Sequence, residues 1–124
     1  MSGNRFLVDT NIVLYLLGGN KEVAEILDNT TIYISFITEL ELLVFKEITK
    51  SEKVGIKKVL ENFIVVDINN EIKENTISIR SDSNLKLPDS IIAATAMFLN
   101  LTLFTADKEF KKVSNLSLLL YENS

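Results

Sequence analysis

Four acidic residues stand where a chain of alternating strands and helices would build a site. Asp9 ends the strand-forming run Phe6-Leu7-Val8, and an apolar helical pattern, Ile12 to Leu17, follows at once. Ligands of open parallel sheets bind beyond the carboxyl ends of the strands, near the point where strand order reverses. Asp107, in Phe104-Thr105-Ala106-Asp107, repeats that situation, with a plain helix N-cap as its structural alternative. Asp89 falls in the first turn of a helix opened by Pro88, where the helix dipole alone favours an acid by about 0.3–1 kcal/mol. The segment Ile91-Ile92-Ala93-Ala94-Thr95-Ala96 is small and apolar all round. That helix therefore packs into the body of the fold, with its start over the sheet edge.

Glu41 is singled out by helical geometry. On a wheel of about 100° per residue, Ile37, Leu40, Val44, Phe45 and Ile48 form an apolar face that includes Glu41, while Glu39 lies opposite beside Lys46. A carboxylate on a core-facing stripe is costly unless paired, protonated or bound to a metal. A capping box from Thr38 is the alternative for Glu41, but Ser35 offers an equally good cap. Asp67 also ends a strand, inside Val66-Asp67-Ile68, and is left out of the set.

Clustered acids repel, raise one another's pKa values and destabilise a fold unless a cation is present. Oxygen-only ligands select hard ions such as Mg²⁺ or Mn²⁺. Such ions, singly or paired at about 3.5–4 Å, activate water and stabilise the attacking and leaving oxygens in phosphodiester cleavage. The absences agree: the chain has no cysteine and no histidine. That removes disulfides, thiol nucleophiles, Ser-His-Asp catalysis and imidazole-based zinc sites. The net charge of −4 has the wrong sign for binding nucleic acid through the overall field.

The elements that must position these acids alternate. Strands are expected over Arg5 to Asp9, Thr30 to Ser35, Ile64 to Ile68, Leu101 to Thr105 and Leu116 to Tyr121. Helices are expected over Asn11 to Leu17, Lys21 to Asp28, Phe36 to Thr49, Ser51 to Asn62 and Asn70 to about Ser81. Val54, Val59, Leu60 and Phe63 are candidate core contacts. A polar loop, Ser81 to Lys86, leads to the Pro88 helix, which runs to Asn100, and a short helix covers Asp107 to Val113. This order implies parallel crossovers, hence a three-layer α/β/α sandwich on a parallel sheet of four to five strands. With 124 residues, 47% hydrophobic and no linker or repeat, one domain spanning 1–124 is expected. No apolar run approaches the roughly 20 residues of a membrane span, and no signal-peptide pattern is present, so a cytoplasmic protein with no membrane partner is expected.

Val8-Asp9-Thr10-Asn11, Ile34-Ser35-Phe36-Ile37-Thr38 with Glu41-Leu42, Leu87-Pro88-Asp89-Ser90 running to Ala96, and Phe104-Thr105-Ala106-Asp107 resemble the PIN-domain family. Among its members the likeness is to the VapC-type ribonuclease toxins of toxin–antitoxin pairs. The resemblance spans nearly the whole chain, with the four blocks in order. It implies a Mg²⁺- or Mn²⁺-dependent endoribonuclease with one or two ions, a cognate antitoxin and a homodimer. By position, Asp9, Glu41, Asp89 and Asp107 match the metal-site acids, and Asn11 and Thr105 match polar residues that support the site. The sequence departs from the family where a small residue commonly follows the glutamate by one turn; Val44-Phe45 stands there.

On this reading RNA is the substrate, and in-line attack of water leaves a 5′-phosphate and a 3′-hydroxyl. Phosphate contacts would come from Lys46, Lys50, Lys53, Lys57, Arg80, Lys86 and Lys108, each otherwise an ordinary solvated charge. The alternatives are a housekeeping RNA-processing nuclease of the same fold and a non-catalytic PIN-like scaffold. The scaffold would offer Leu42 and Leu43 to a partner helix. A receiver-like phosphoacceptor is a weaker third reading, discounted because it needs two adjacent acids after the first strand and Leu7-Val8-Asp9 offers one.

Overall fold

Short apolar runs make the strands, and the first four are each followed by helices or a turn that carry the chain back across the sheet. The computed structural model describes residues 4–44 and 49–122. In order come β1 (Arg5–Val8), α1 (Thr10–Leu17), α2 (Lys21–Leu27), β2 (Thr31–Ser35), α3 (Phe36–Leu43) and α4 (Lys50–Leu60). Then follow β3 (Ile64–Val66), α5 (Asn70–Ser83), α6 (Leu87–Leu99), β4 (Thr102–Thr105), a 3₁₀ turn (Lys108–Lys112) and β5 (Leu118–Leu120). The five strands form one sheet, ordered β3-β2-β1-β4-β5, and every neighbouring pair is parallel. The expected α/β sandwich is observed, with five strands.

Because successive side chains of a strand point to opposite faces, Leu7 and Leu103 enter one core cluster while Val8 and Phe104 enter the other. The first cluster includes Ile72 of α5 and Ile92 and Ala93 of α6. The second includes Ile12 and Val13 of α1, Leu42 of α3 and Ile56 of α4. Both faces of the sheet are thus covered, which is why the strands read as continuous apolar runs. No described helix is long and apolar enough to cross a membrane.

Several boundaries differ from expectation. The helix expected over 36–49 ends at Leu43, and Thr49 instead caps α4: its hydroxyl accepts from Glu52 N, and its own N donates to Glu52 Oε1. Phe45, Lys46 and Ile48 lie outside the described residues. α5 runs on to Ser83 through the start of the expected loop, despite poor helix formers. Ile72, Thr76 and Ile79 are buried there, and tertiary burial outweighs propensity differences of about 0.7 kcal/mol or less per residue. Val54 is 65% exposed, and Ile56 takes its place in the core.

Helix ends follow backbone chemistry. Gly19, at φ +87°, takes the left-handed turn after α1, and Asn84 and Asn100, both at φ +55°, end α5 and α6 the same way. On α6, Ala93, Ala94 and Ala96 have no exposed surface, so the helix lies close against its neighbours. Ala93→Leu should cost about 1–3 kcal/mol through overpacking, measured as a lower urea midpoint at unchanged slope.

Candidate active site

Strand order reverses between β1 and β4, and the register sets Val8 beside Phe104. The next residues, Asp9 just past β1 and Thr105 at the end of β4, therefore stand side by side at the carboxyl edge of the sheet. Asp9 N donates to Phe104 O at 3.0 Å. The Asp9 carboxylate is only 5% exposed, and each oxygen is held: Oδ1 accepts from Thr10 N at 2.7 Å, and Oδ2 accepts from Thr105 Oγ1 at 2.6 Å. Burial raises its pKa above the ordinary aspartate value, the two hydrogen bonds oppose the rise, and Asp107 and Glu41 add to it.

Thr105 is fully buried and joins two acids, since its Oγ1 also accepts from Asp107 N at 3.0 Å. Asp107 caps the 3₁₀ turn, with Oδ1 accepting from Glu109 N at 2.9 Å, and lines the same cavity as Asp9. Capping and a place in the site are not exclusive here. Asn11, one residue into α1, is exposed and also lines the cavity.

Glu41 reaches the cavity by a different face from the one the wheel drew. Leu40 and Val44, expected in the core, are 48% and 70% exposed, whereas Thr38 and Leu42 are buried. The inward stripe is Thr38, Glu41 and Leu42, because α3 has only two turns and ends at Leu43. Ser35 is the N-cap, its Oγ accepting from Ile37 N, so the Thr38 box does not form. Burial of Leu42, with Leu43 partly packed behind it, removes the partner-helix surface that those two residues would have offered. Thr10 Oγ1 donates to Glu41 Oε1 at 2.7 Å and lies 3.1 Å from Thr38 Oγ1. Both threonines escaped the sequence reading. The available signals were the place of Thr10 directly after a strand-end acid and that of Thr38 one turn before Glu41.

Asp89 lies in the first turn of α6, whose N-cap is Lys86 with no side-chain cap bond. The helix dipole would lower its pKa, yet the carboxyl is pushed up to about 6. Desolvation is the main cause; Asp9, Asp107 and Glu41 add to it, and Lys86 works against it. Asp67 is exposed at the end of edge strand β3, with Oδ1 accepting from Ile68 N; it does not line this cavity.

The cavity has a volume of about 210 Å³, lined by the four acids with Thr10, Asn11, Leu14 and Leu42. As the side chains stand, no three acids among the described residues form a cage for an ion: the carboxylates converge on one space without closing on one point. The one ion pair among the described residues is Lys112–Glu109, on the surface at 2.7 Å. The donor set nevertheless fits a hard divalent ion, being all oxygen, with the pKa raised at Asp9 and Asp89 by burial first and by the neighbouring acids after it. Of the candidate cations, Arg80 is committed elsewhere, Nη1 donating to Leu85 O at 2.8 Å. Lys50, Lys53 and Lys57 lie exposed on α4.

Compared with known protein families, residues 6–116 match the PIN domain. A toxin–antitoxin complex from Klebsiella pneumoniae contains a chain 31% identical, at TM-score 0.83, over 95% of this chain and 99% of that one. VapBC2 from Rickettsia felis, bound to a DNA fragment from its promoter, matches at 26% identity and TM-score 0.82, again over 95% and 99%. FitAcB from Neisseria gonorrhoeae matches at 26% identity and TM-score 0.75, over 91% and 95%. No curated protein matches the chain.

Asp89 binds its proton more tightly folded than unfolded. Below the ordinary aspartate value the group is protonated in both states; as pH rises from there through about 6, the unfolded chain loses its proton first and stability falls. Discounted for solvent screening at this half-buried carboxyl, the loss is about 1 kcal/mol. Asp89→Asn should therefore raise the urea stability of the metal-free chain by about that amount near pH 7.5 and leave it unchanged near pH 3.5. A gain of equal size at both pH values would show that the charge is not the cause.

Proposed function

The chain belongs to the PIN domain family of nucleases, and we propose that it is a divalent-metal-dependent endoribonuclease, the toxin of a toxin–antitoxin pair. The observation that carries this reading is the convergence of Asp9, Glu41, Asp89 and Asp107 on one cavity, with no salt bridge among the described residues reaching any of them. Those four would hold Mg²⁺ or Mn²⁺, as one or two ions. A bound ion supplies activation of water and Lewis-acid stabilisation of the phosphodiester. Thr105 fixes the rotamer of Asp9 and the backbone of Asp107, and Thr10 fixes Glu41. These bonds hold the acids in place before a ligand arrives, and such preorganisation keeps a site productive. Asn11 stands at the mouth, able to meet a phosphate oxygen or a ribose hydroxyl.

An antitoxin partner is supported by the solved relatives, which include toxin–antitoxin complexes. A homodimer and a single nuclease domain over 1–124 belong to the reading by resemblance. Exposed Leu40 and Val44 on α3 are apolar surface that a second copy would cover. A non-catalytic scaffold of the same fold has no use for four buried or half-buried acids facing one space.

Asp9→Asn should reduce Mg²⁺- or Mn²⁺-dependent cleavage of single-stranded RNA by about 100-fold or more, the scale of losing a transition-state electrostatic contact. It should also weaken Mn²⁺ binding in isothermal titration, and chelation of the metal should stop cleavage by the unaltered chain. Cleavage that survives both the substitution and the chelator would overturn the mechanism.

A further inference from the structure

Outside the acid cavity, a second hollow of about 360 Å³ is lined by Tyr15, Ala106, Lys108, Tyr121 and Glu122. The two spaces adjoin. Asn11 of the first and Tyr15 of the second are four residues, just over one turn, apart on α1, about 6 Å along its axis, and Ala106, Asp107 and Lys108 run consecutively from one to the other.

Tyr15 is held from behind. Its ring packs on Tyr121 with centroids 6.0 Å apart, Tyr121 meets Phe104 edge-on at 6.4 Å, and Phe104 meets Phe6 at 5.9 Å. This row of four rings begins in the sheet and ends at the surface. Tyr121 is 7% exposed, and its hydroxyl accepts from Asn20 Nδ2 at 3.2 Å. Tyr15, by contrast, is 37% exposed. A rigid ring, open on one side and one turn from the acid cavity, is suited to stacking a planar group. Lys108 beside it is an exposed cation suited to a phosphate, while Glu122 bars an extended anionic surface.

We propose that Tyr15 and Lys108 form a nucleotide subsite beside the acid cavity, where an unpaired base stacks on Tyr15 and its phosphate meets Lys108. This deepens the nuclease reading above and rests on it: it makes the substrate single-stranded at the position next to the cut. Stacking on an aromatic platform suits an acidic protein, because it supplies affinity that does not depend on overall charge. A duplex offers no free base face at that position.

The test uses a fluorescein-labelled single-stranded RNA of mixed sequence and the same strand annealed to its complement. Both are titrated against the full chain carrying Asp9→Asn, so that cutting during the titration is slow. The single strand should bind more tightly than the duplex. Adding Tyr15→Leu should weaken single-strand binding about tenfold, and adding Tyr15→Phe should leave it unchanged. Lys108→Ala should lower the slope of log affinity against log salt by about one phosphate contact. In the cleaving chain, Tyr15→Leu should raise KM with little change in kcat, and its thermal midpoint should match that of Tyr15→Phe. Equal binding by the Tyr15→Leu and parent chains, or a preference for duplex, would overturn the subsite and leave the nuclease reading standing. Failure of the unaltered chain to bind or cut RNA with either metal would overturn both.

Discussion

The hydrogen bond from Thr105 Oγ1 to Asp9 Oδ2 spans 96 positions of sequence in 2.6 Å, and the acid cavity depends on it. It forms only because β1 and β4 are neighbours, in a register that sets Val8 beside Phe104 and so brings Asp9 level with Thr105. That adjacency depends in turn on Leu7, Val8, Leu103 and Phe104 filling both cores without exposed area to spare. A carboxylate this buried, with no cation beside it among the described residues, is tolerable because both of its oxygens are bonded. Left without them, it would carry the desolvation cost of an unpaired buried charge. The same hydroxyl receives Asp107 N, so one threonine sets the separation of two acids delivered by different strands.

Around that pair the site is arranged against its own electrostatics. Asp89 is raised to about 6 although it sits at a helix start, a position that by itself favours the charged form. Desolvation and three like charges outweigh the dipole and Lys86 together. A site selected only for stability would have replaced one of these acids. The arrangement makes physical sense for a fold whose stable form includes a cation, since binding to the folded state alone adds stability by mass action.

Strand-end acids could be read from the sequence because their signal is local: an apolar run, an acid, then a helical pattern locates Asp9 and Asp107 without knowledge of any neighbour. Parallel topology was equally legible from the alternation of elements. Glu41 was reached through the right residue and the wrong face, because the wheel treated 36–49 as one helix. The start of α4 was written in Thr49 and Glu52, whose spacing is that of a capping box, and reading it would have ended the expected helix before Thr49. Thr10 and Thr38 carry only a weaker one-dimensional mark, their places directly after a strand-end acid and one turn before Glu41. Their roles exist only once α1 and α3 meet, twenty-eight positions apart, and propensity cannot foresee a meeting of that kind.

Overall charge poses the last question, because a chain at −4 with an acidic cavity should repel a polyanion. Lys86 lies where it offsets Asp89, and Arg80 is tied to the Leu85 carbonyl, so two of the nearby cations have duties within the fold. On the proposed reading the missing positive charge arrives with the metal, which changes the sign of the field where the phosphate must sit. Metal and RNA would then bind with positive coupling. Coupling of binding free energies is reciprocal, so RNA must tighten the metal by the same factor as the metal tightens RNA. A site whose carboxylates converge without closing on a point is consistent with that linkage, because the last part of the closure is left for the ligands to drive.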